Sequence, residues 1–377
     1  MISEPLFVIP EYARQDPSAN IIAGGLSSGY FGVSPSGAFD QWSVEPEVVS
    51  QMVVPQNRFG LWSRIKGRSG FTSLDNSNFR ERAHLFPCTW VDHCVEAPLQ
   101  LESQWFSPVI PEHDRESSLP IQLVVFRIKN NSPSRVESAL MLSWCCGWSD
   151  IDKDVAFDLQ HDNLCLTGAL GVTGSPNRQG IALPDLHSEG IYLQSVEPWA
   201  SNVAKSEEEE IWADFAEDGE LDPRVAKPNG QAAAAWVKFD IEPDEVKEIP
   251  FVIAWHYPLY QHGPFKDQTK YYTQFLGRYR PDNSIVWLAE QAFQNYGTEA
   301  ATYKHWMRQI QDWHESLATH NNPAQCAKSV NSMTAIRQIA IYGNGYGDKQ
   351  LGDITPEQRA LLRSLSDQPI NFFPAGK

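Results

Sequence analysis

No stretch of the 377-residue chain approaches the ~18–20 consecutive apolar residues that span a bilayer, so no transmembrane segment is expected. The opening residues, Met1-Ile2-Ser3-Glu4-Pro5, lack a basic stretch running into an apolar one, and no export signal is expected. Cysteine is scarce: Cys88, Cys94, Cys145, Cys146, Cys165 and Cys326 are the six present. Six in a chain this long do not make a disulfide framework, and reduced thiols in a cytoplasm are the simplest setting. The paired C-x₂-C spacings of a Cys₄ zinc site are missing. No metal and no cofactor is expected. Basic residues are outnumbered, 30 against 47 acidic, for a formal charge of −17. Such a field repels phosphate backbones, which argues against nucleic acid as a partner.

What the chain does have is apolar bulk. Hydrophobic residues make up 42% and charged residues 20%, so global disorder is excluded. The length suits two domains, or one large domain with an extension, and needs no disulfide help to bury a core. Thirteen tryptophans are many. Most belong in packing, although a carbohydrate-contacting surface would also use them.

Up to about residue 262 the signals are those of strands and turns. Leu99 to Trp105 alternates apolar and polar, the pattern of a half-buried strand. Ile121 to Ile128 is more uniformly apolar, as for a strand buried on both faces. The turn cluster Asn130 to Ser134 follows, and then Val136, Leu140, Leu142 and Trp144 share a face. These two strands read as a hairpin. Val237, Phe239 and Ile241 alternate with Lys238, Asp240 and Glu242, and Phe251 to Trp255 is another buried run. Many strands with no helices between them predict a mainly β chain, a two-sheet antiparallel sandwich over residues 5–262.

The acidic stretch Ser206 to Asp222 reads as a solvated loop. Near Asp267 the period changes. Ile285, Leu288, Ala292, Tyr296, Tyr303, Trp306, Ile310, Trp313 and Leu317 follow three-and-four spacing. They predict a long amphipathic helix over 284–318, ~50 Å if continuous at ~1.5 Å per residue, with Gly297 as a point of interruption. Leu288, Ala292, Trp306, Ile310 and Trp313 should meet one buried surface, supplied by a sandwich face or by a missing domain. Residues 263–320 thus form a helical linker or docking segment. Residues 321–377 are a divergent tail, with a short helix expected after the capping box Thr355-Pro356-Glu357-Gln358.

Gly25-Leu26-Ser27-Ser28-Gly29 spells a nucleophile elbow, but that motif must run into a helix. Here Tyr30 to Gly37 reads as a strand and turn, so the glycines should serve the backbone. Gly24 to Gly29 also imitates a P-loop, with Tyr30 and Phe31 where Lys and Ser/Thr are required. Gly343 to Asp348 lacks the third glycine of a dinucleotide fingerprint. Asp150 to Asp154 opens like a calcium loop, yet Val155 and His161 stand where Gly and Glu are needed. His84, His93 and His113 share a region with Cys88, and His305 and His314 sit nine residues apart on the expected helix; packed or surface histidines explain them. Catalytic carboxylates cannot be singled out without geometry. No catalytic, cofactor-binding or metal residue is therefore assigned.

Several segments together resemble one family. They are Ile22 to Gly32, Gly37 to Trp42, Trp105 to Pro111, Ser117 to Pro120 leading into Phe126 to Asn130, Leu142 to Trp144, and Ala254 to Pro258. The combination is similar to the N-terminal domain of glycoside hydrolase family 116, which contains non-lysosomal glucosylceramidases and β-glucosidases. The likeness runs over roughly residues 5–315. The S-P-x-I-P and S-S-L-P stretches are its most specific part, and the opening glycine motif departs at Ser27 and Ser28. The resemblance implies a two-sheet sandwich followed, in the family, by an (α/α)₆ barrel that carries both catalytic carboxylates. The chain stops before those motifs, so the resemblance transfers no catalytic residue. It implies a non-catalytic sandwich of a β-glucosidase-like protein. A separately encoded barrel is then the expected partner, and a β-glucoside or glycolipid the expected substrate class. A carbohydrate-binding module, or a complete glycosidase with its own site on the sandwich, are the alternatives.

Overall fold

The computed structural model describes residues 5–13, 20–34, 37–45, 48–51, 53–75, 79–96, 98–145, 155–162, 165–172, 177–186, 191–199, 205–222, 232–260, 267–276, 283–319 and 322–331. They form three antiparallel sheets. An eight-stranded sheet contains β7 (Phe79–Leu85), β8 (Cys88–His93), β9 (Leu99–Phe106), β10 (Ile121–Asn130), β12 (Val155–Asp162), β13 (Cys165–Val172), β14 (Arg178–Pro184) and β17 (Val246–His256). Its order is β12-β13-β14-β17-β10-β9-β8-β7. A five-stranded sheet contains β5 (Arg58–Ile65), β6 (Arg68–Ser73), β11 (Val136–Cys145), β15 (Ile191–Trp199) and β16 (Ala232–Ile241), ordered β15-β16-β11-β5-β6. These two sheets pack face to face. Phe59 of β5 meets Phe126 of β10 and Phe251 of β17, with ring centroids 5.0 and 5.4 Å apart. A third sheet, β1 (Ile21–Ala23), β2 (Tyr30–Val33), β3 (Phe39–Glu45) and β4 (Val48–Gln51), goes beyond the expected pair. Its Phe31, Phe39 and Trp42 pack edge-on against Trp144 of β11, which extends the same core.

The uniformly apolar runs of β10 and β17 have the predicted cause. Val124, Phe126 and Ile128 enter the core between the sheets, while Ile121, Leu123 and Val125 face the other way into a second core. In β17, Ile249, Phe251, Ile253 and Trp255 alternate likewise with Val252 and Ala254. The second core lies under α3 (Ser284–Phe293) and α4 (Thr302–Ala318). Period two with both phases apolar is what a strand between two covered faces requires.

The single long helix is not found. The segment is two helices, because Asn295 and Gly297 adopt left-handed φ of 58° and 78° and break it. The expected face is nevertheless the buried one: Leu288, Ala292, Trp306, Ile310 and Trp313 all join the second core. The sandwich itself supplies the surface. A further helix, α5 (Pro323–Asn331), follows, and the short helix expected after Thr355 lies outside the described residues.

Three other readings need correction. The Ile121–Ile128 and Val136–Trp144 strands are not a hairpin. β10 pairs with β9 and β17, and β11 pairs with β5 and β16, so the Asn130–Arg135 turn crosses from one sheet to the other. Asn130 shapes that crossing: its Nδ2 donates to Ser134 O and Ile241 O, and its Oδ1 accepts from Ser132 N and Oγ. The link from β16 to β17 crosses beside it, and Asp244 N donates to Asn130 O at 2.9 Å. The acidic stretch is not a loop but α2 (Lys205–Asp218), the second helix of the chain after the one-turn α1 (Asp114–Ser117). Ile211, Trp212 and Phe215 share one face and cover the outside of the five-stranded sheet, stacking on Phe71, while Glu209, Glu210, Glu217 and Asp218 face solvent. Finally, β9 is buried on both faces rather than half-buried. Its Glu102 Oε2 accepts the amides of Leu6 and Phe7, so residues 5–13 form a strap across the outside of the large sheet. The strap satisfies a carboxylate that would otherwise stay in water.

Candidate functional site

Four of the segments that carry the family likeness lie far apart in sequence and meet at one corner. The loop Gly24–Gly29 between β1 and β2 is its centre. Gly24 N donates to Ser107 Oγ at 2.7 Å, and that hydroxyl donates to Ile121 O. Gly25 N donates to Leu119 O and Leu26 N to Ser117 O. Ser117 Oγ in turn closes the Pro108–Pro111 stretch by bonding both the N–H and the C=O of Ile110. Trp255 Nε1 donates to Ser28 O at 3.0 Å, and Ser27 Oγ lies 3.1 Å from the Tyr260 hydroxyl. The glycine loop, the S-P-x-I-P and S-S-L-P stretches and the Ala254–Pro258 region are thus one hydrogen-bonded unit.

Chemistry at this corner is limited by burial. Ser27, Ser28, Tyr260, Tyr272, His256 and Lys270 are all buried. The loop runs from strand to strand, so no helix N-terminus stands behind Ser27. Burial, with Lys270 and Arg178 nearby, lowers the His256 pKa to about 4, which leaves the ring uncharged at neutral pH. Its Nδ1 faces the Tyr272 hydroxyl at 3.3 Å, and that hydroxyl also accepts the Tyr257 amide. Burial raises the Tyr272 phenol further, so it stays protonated. These groups hold backbone rather than poise a nucleophile.

Gly25 shows how tight the corner is. A Cβ there would stand 2.6 Å from both Leu119 O and Ser117 O. Gly25→Ala is expected to cost about 2–4 kcal/mol, the sum of overpacking and strained backbone hydrogen bonds. Ser27→Ala removes the hydroxyl that meets Tyr260 and should cost less, about 1–2 kcal/mol. Urea unfolding of the two variants side by side measures the contrast. A greater loss for Ser27→Ala than for Gly25→Ala would contradict a backbone role for the loop.

The candidate metal ligands do not converge. His84 Nδ1 bonds Thr89 Oγ1, His93 Nε2 bonds Ser103 Oγ, His113 Nε2 meets Gln309 Nε2, and His314 Nε2 bonds Phe86 O. Cys88 Sγ accepts from Gln104. Among the described residues no three His, Cys, Asp or Glu side chains are placed to hold a metal ion. Asp150–Asp154 and Gly343–Asp348 lie outside the described residues.

A pocket lies elsewhere, on the outer face of the large sheet between the strap and α4. It encloses about 80 Å³ and is lined by the strap residues Phe7, Val8 and Pro10, by Cys88, Trp90, Gln104 and Arg127 from β8 to β10, and by Met307, Ile310, Gln311 and His314 of α4. Arg127 frames it: Nε and Nη2 bind Glu248 Oε2 at 2.8 Å, Nη1 donates to Leu6 O, and the guanidinium lies 4.3 Å over the Phe7 ring. Sequence reasoning missed this place. The only trace was the polar row Gln100, Glu102, Gln104 of β9, which reads as a solvent face until the strap is seen to cover it.

The family model of the beta-glucosidase 2, glycosyl-hydrolase family 116 N-terminal domain matches residues 22–299. The chain belongs to this family. The matched span is narrower at both ends than the 5–315 of the sequence likeness, and it runs from β1 to the turn before α4. Among solved structures, the family 116 domain is similar to a bacterial glucoamylase complexed with acarbose, at 10% identity and a TM-score of 0.44, covering 86% of this chain and 42% of that one. It is also similar to a protein described as a kojibiose phosphorylase from the human microbiome, at 8% identity and a TM-score of 0.41, covering 84% and 39%. A galactose mutarotase related enzyme from Lactobacillus acidophilus matches at 8% identity and a TM-score of 0.33, covering 67% of this chain and 100% of that one. The family 116 domain spans well under half of the first two chains.

Proposed function

We propose that this chain is the non-catalytic sandwich of a β-glucosidase-like protein, working with an (α/α)₆ barrel that supplies both catalytic carboxylates. The observation that carries this reading is the match to an N-terminal domain model over 22–299. The sandwich is taken as 5–262, the docking segment as 263–320 and the tail as 321–377. The apolar faces of α3 and α4 are spent on the sheet, so a barrel would meet their polar outer sides, where Gln291, Arg308, Asp312 and Glu315 lie. A β-glucoside or glycolipid is the proposed substrate class of the assembled enzyme.

Two observations weigh on the alternatives. A carbohydrate-binding module needs exposed flat aromatics, yet the eleven tryptophans with described side chains are all buried. A glycosidase site on the sandwich itself needs two carboxylates free to flank a glycosidic bond, about 5–5.5 Å apart in a retaining enzyme. Two carboxylates on the outer side of the large sheet are instead engaged in structure. Glu102 takes the strap amides, and Glu248 takes Arg127 and the Tyr303 hydroxyl. Four described cysteines, Cys88, Cys94, Cys145 and Cys326, are free thiols, which supports a cytoplasmic setting. No described helix is long and apolar enough to cross a membrane.

The test is turnover of a nitrophenyl β-glucoside. The purified chain alone should give none, and adding a separately expressed barrel should produce it. Turnover by the isolated chain, lost on changing one of its own carboxylates, would overturn the proposal.

A further inference from the structure

We infer that the pocket between the strap and α4 is a binding site for a small uncharged hydroxylated molecule, of the size and chemistry of glycerol. Its hydrogen-bonding gaps carry the argument. Trp90 is 5% exposed, and its indole N–H has no acceptor among the described residues. A buried donor left without a partner is costly, so an acceptor belongs there. The amides of two other lining residues leave the opposite gap. Gln104 spends Nε2 on Cys88 Sγ, and Gln311 spends Nε2 on Glu315 Oε1. The carbonyl oxygen of each has no donor among the described residues. One buried unmet donor at Trp90, with the buried Gln104 amide oxygen and the partly exposed Gln311 amide oxygen as acceptors around the same cavity, calls for groups that both accept and donate, and hydroxyls do both.

Charge and shape narrow the class. No carboxylate lines the pocket, so a cation finds no counter-charge there. The one lining cation, Arg127, is compensated by Glu248 and by Leu6 O, so an anion finds no free charge. His314 donates Nε2–H to Phe86 O, and burial lowers its pKa to about 4, so it is neutral. Phe7, Met307, Ile310 and the Trp90 ring give apolar walls for C–H groups. The about 80 Å³ enclosed exceeds the roughly 30 Å³ share of a single water. Val8 lines the pocket and is 71% exposed, so the entrance lies at the strap.

The experiment uses the full chain, labelled with ¹⁵N at the indoles, with glycerol as the probe and tetramethylammonium and inorganic phosphate as controls. The Trp90 indole signal is assigned by its loss in Trp90→Phe. Glycerol should move that signal saturably in the millimolar range while the other indoles stay put, and neither control ion should move it. Gln104→Leu should weaken binding at least 10-fold. Gln311 is partly exposed, so Gln311→Leu keeps the test sound should Gln104→Leu fail to fold, and it should weaken binding about 3–10-fold. No saturable shift, or a linear drift shared by all indoles, would mean a pocket holding only water and would overturn the inference. So would a saturable response to either ion in place of glycerol.

Discussion

Acidification from pH 6.5 to 4 should unfold the chain. Three histidines are buried and neutral in the native state. Burial and Arg82 lower the His93 pKa to about 3, burial with Lys270 and Arg178 lowers His256 to about 4, and burial with His84 lowers His314 to about 4. In the unfolded chain each returns to the ordinary value near 6.5 and takes up a proton as pH falls. The unfolded state then binds more protons than the native state, so stability falls with pH. The stability is fully present above pH 6.5 and is lost progressively down to the native pKa values. Each histidine contributes a slope of at most about 1.4 kcal/mol per pH unit, about 4 for the three together. Against a typical total of about 5–15 kcal/mol, two pH units at that slope are decisive. Urea midpoints measured at pH 7.5, 6.5, 5.5 and 4.5 should drop steeply below 6.5. His256→Gln should remove about a third of the slope. A midpoint that stays flat between pH 6.5 and 4.5 would sink the prediction.

Trp144→Ala should be among the most damaging single substitutions. Trp144 is 1% exposed and sits where all three sheets meet. Phe31, Phe39 and Trp42 pack against its ring at centroid distances of 5.4, 5.3 and 5.9 Å. Its Nε1 donates to Gln179 Oε1 at 3.2 Å, and Gln179 also donates to the Tyr257 hydroxyl. Alanine would leave a cavity lined by rings that cannot collapse into it, and would orphan Gln179 Oε1. The expected loss is about 3–5 kcal/mol for the cavity alone. Trp144→Phe should recover most of the packing but not the hydrogen bond. A urea series on the wild type and both variants tests the order. A loss below about 1 kcal/mol for Trp144→Ala would show that the small sheet is not anchored there.

Burial was legible in the sequence wherever the pattern was continuous. Ile121–Ile128 and Phe251–Trp255 announced two covered faces, and the spacing from Ile285 to Leu317 announced which side of α3 and α4 would be inside. Partners were not legible, because periodicity reports how much of a strand is covered and not by what. β10 and β11 looked like a hairpin because adjacent strands usually pair. The Asn130 side chain, bridging Ser134 and Ile241, holds the crossing that takes them into opposite sheets. In α2 a dense run of acids hid the Ile211, Trp212, Phe215 triplet. The pocket was the least visible of all. Its walls come from residues 7–10, 88–127 and 307–314, and no local spacing links them.

The paired crossings at Asn130 and Asp244 have a mechanical consequence. β10 and β17 are neighbours in one sheet, and the strands that continue from them, β11 and β16, are neighbours in the other. The four strands form a closed square, stitched at its corner by Asn130. Neither sheet can slide past the other, or peel away, without dragging the central strands of its opposite out of register. The two crossings therefore act as a latch, tying the register of each sheet to that of the other.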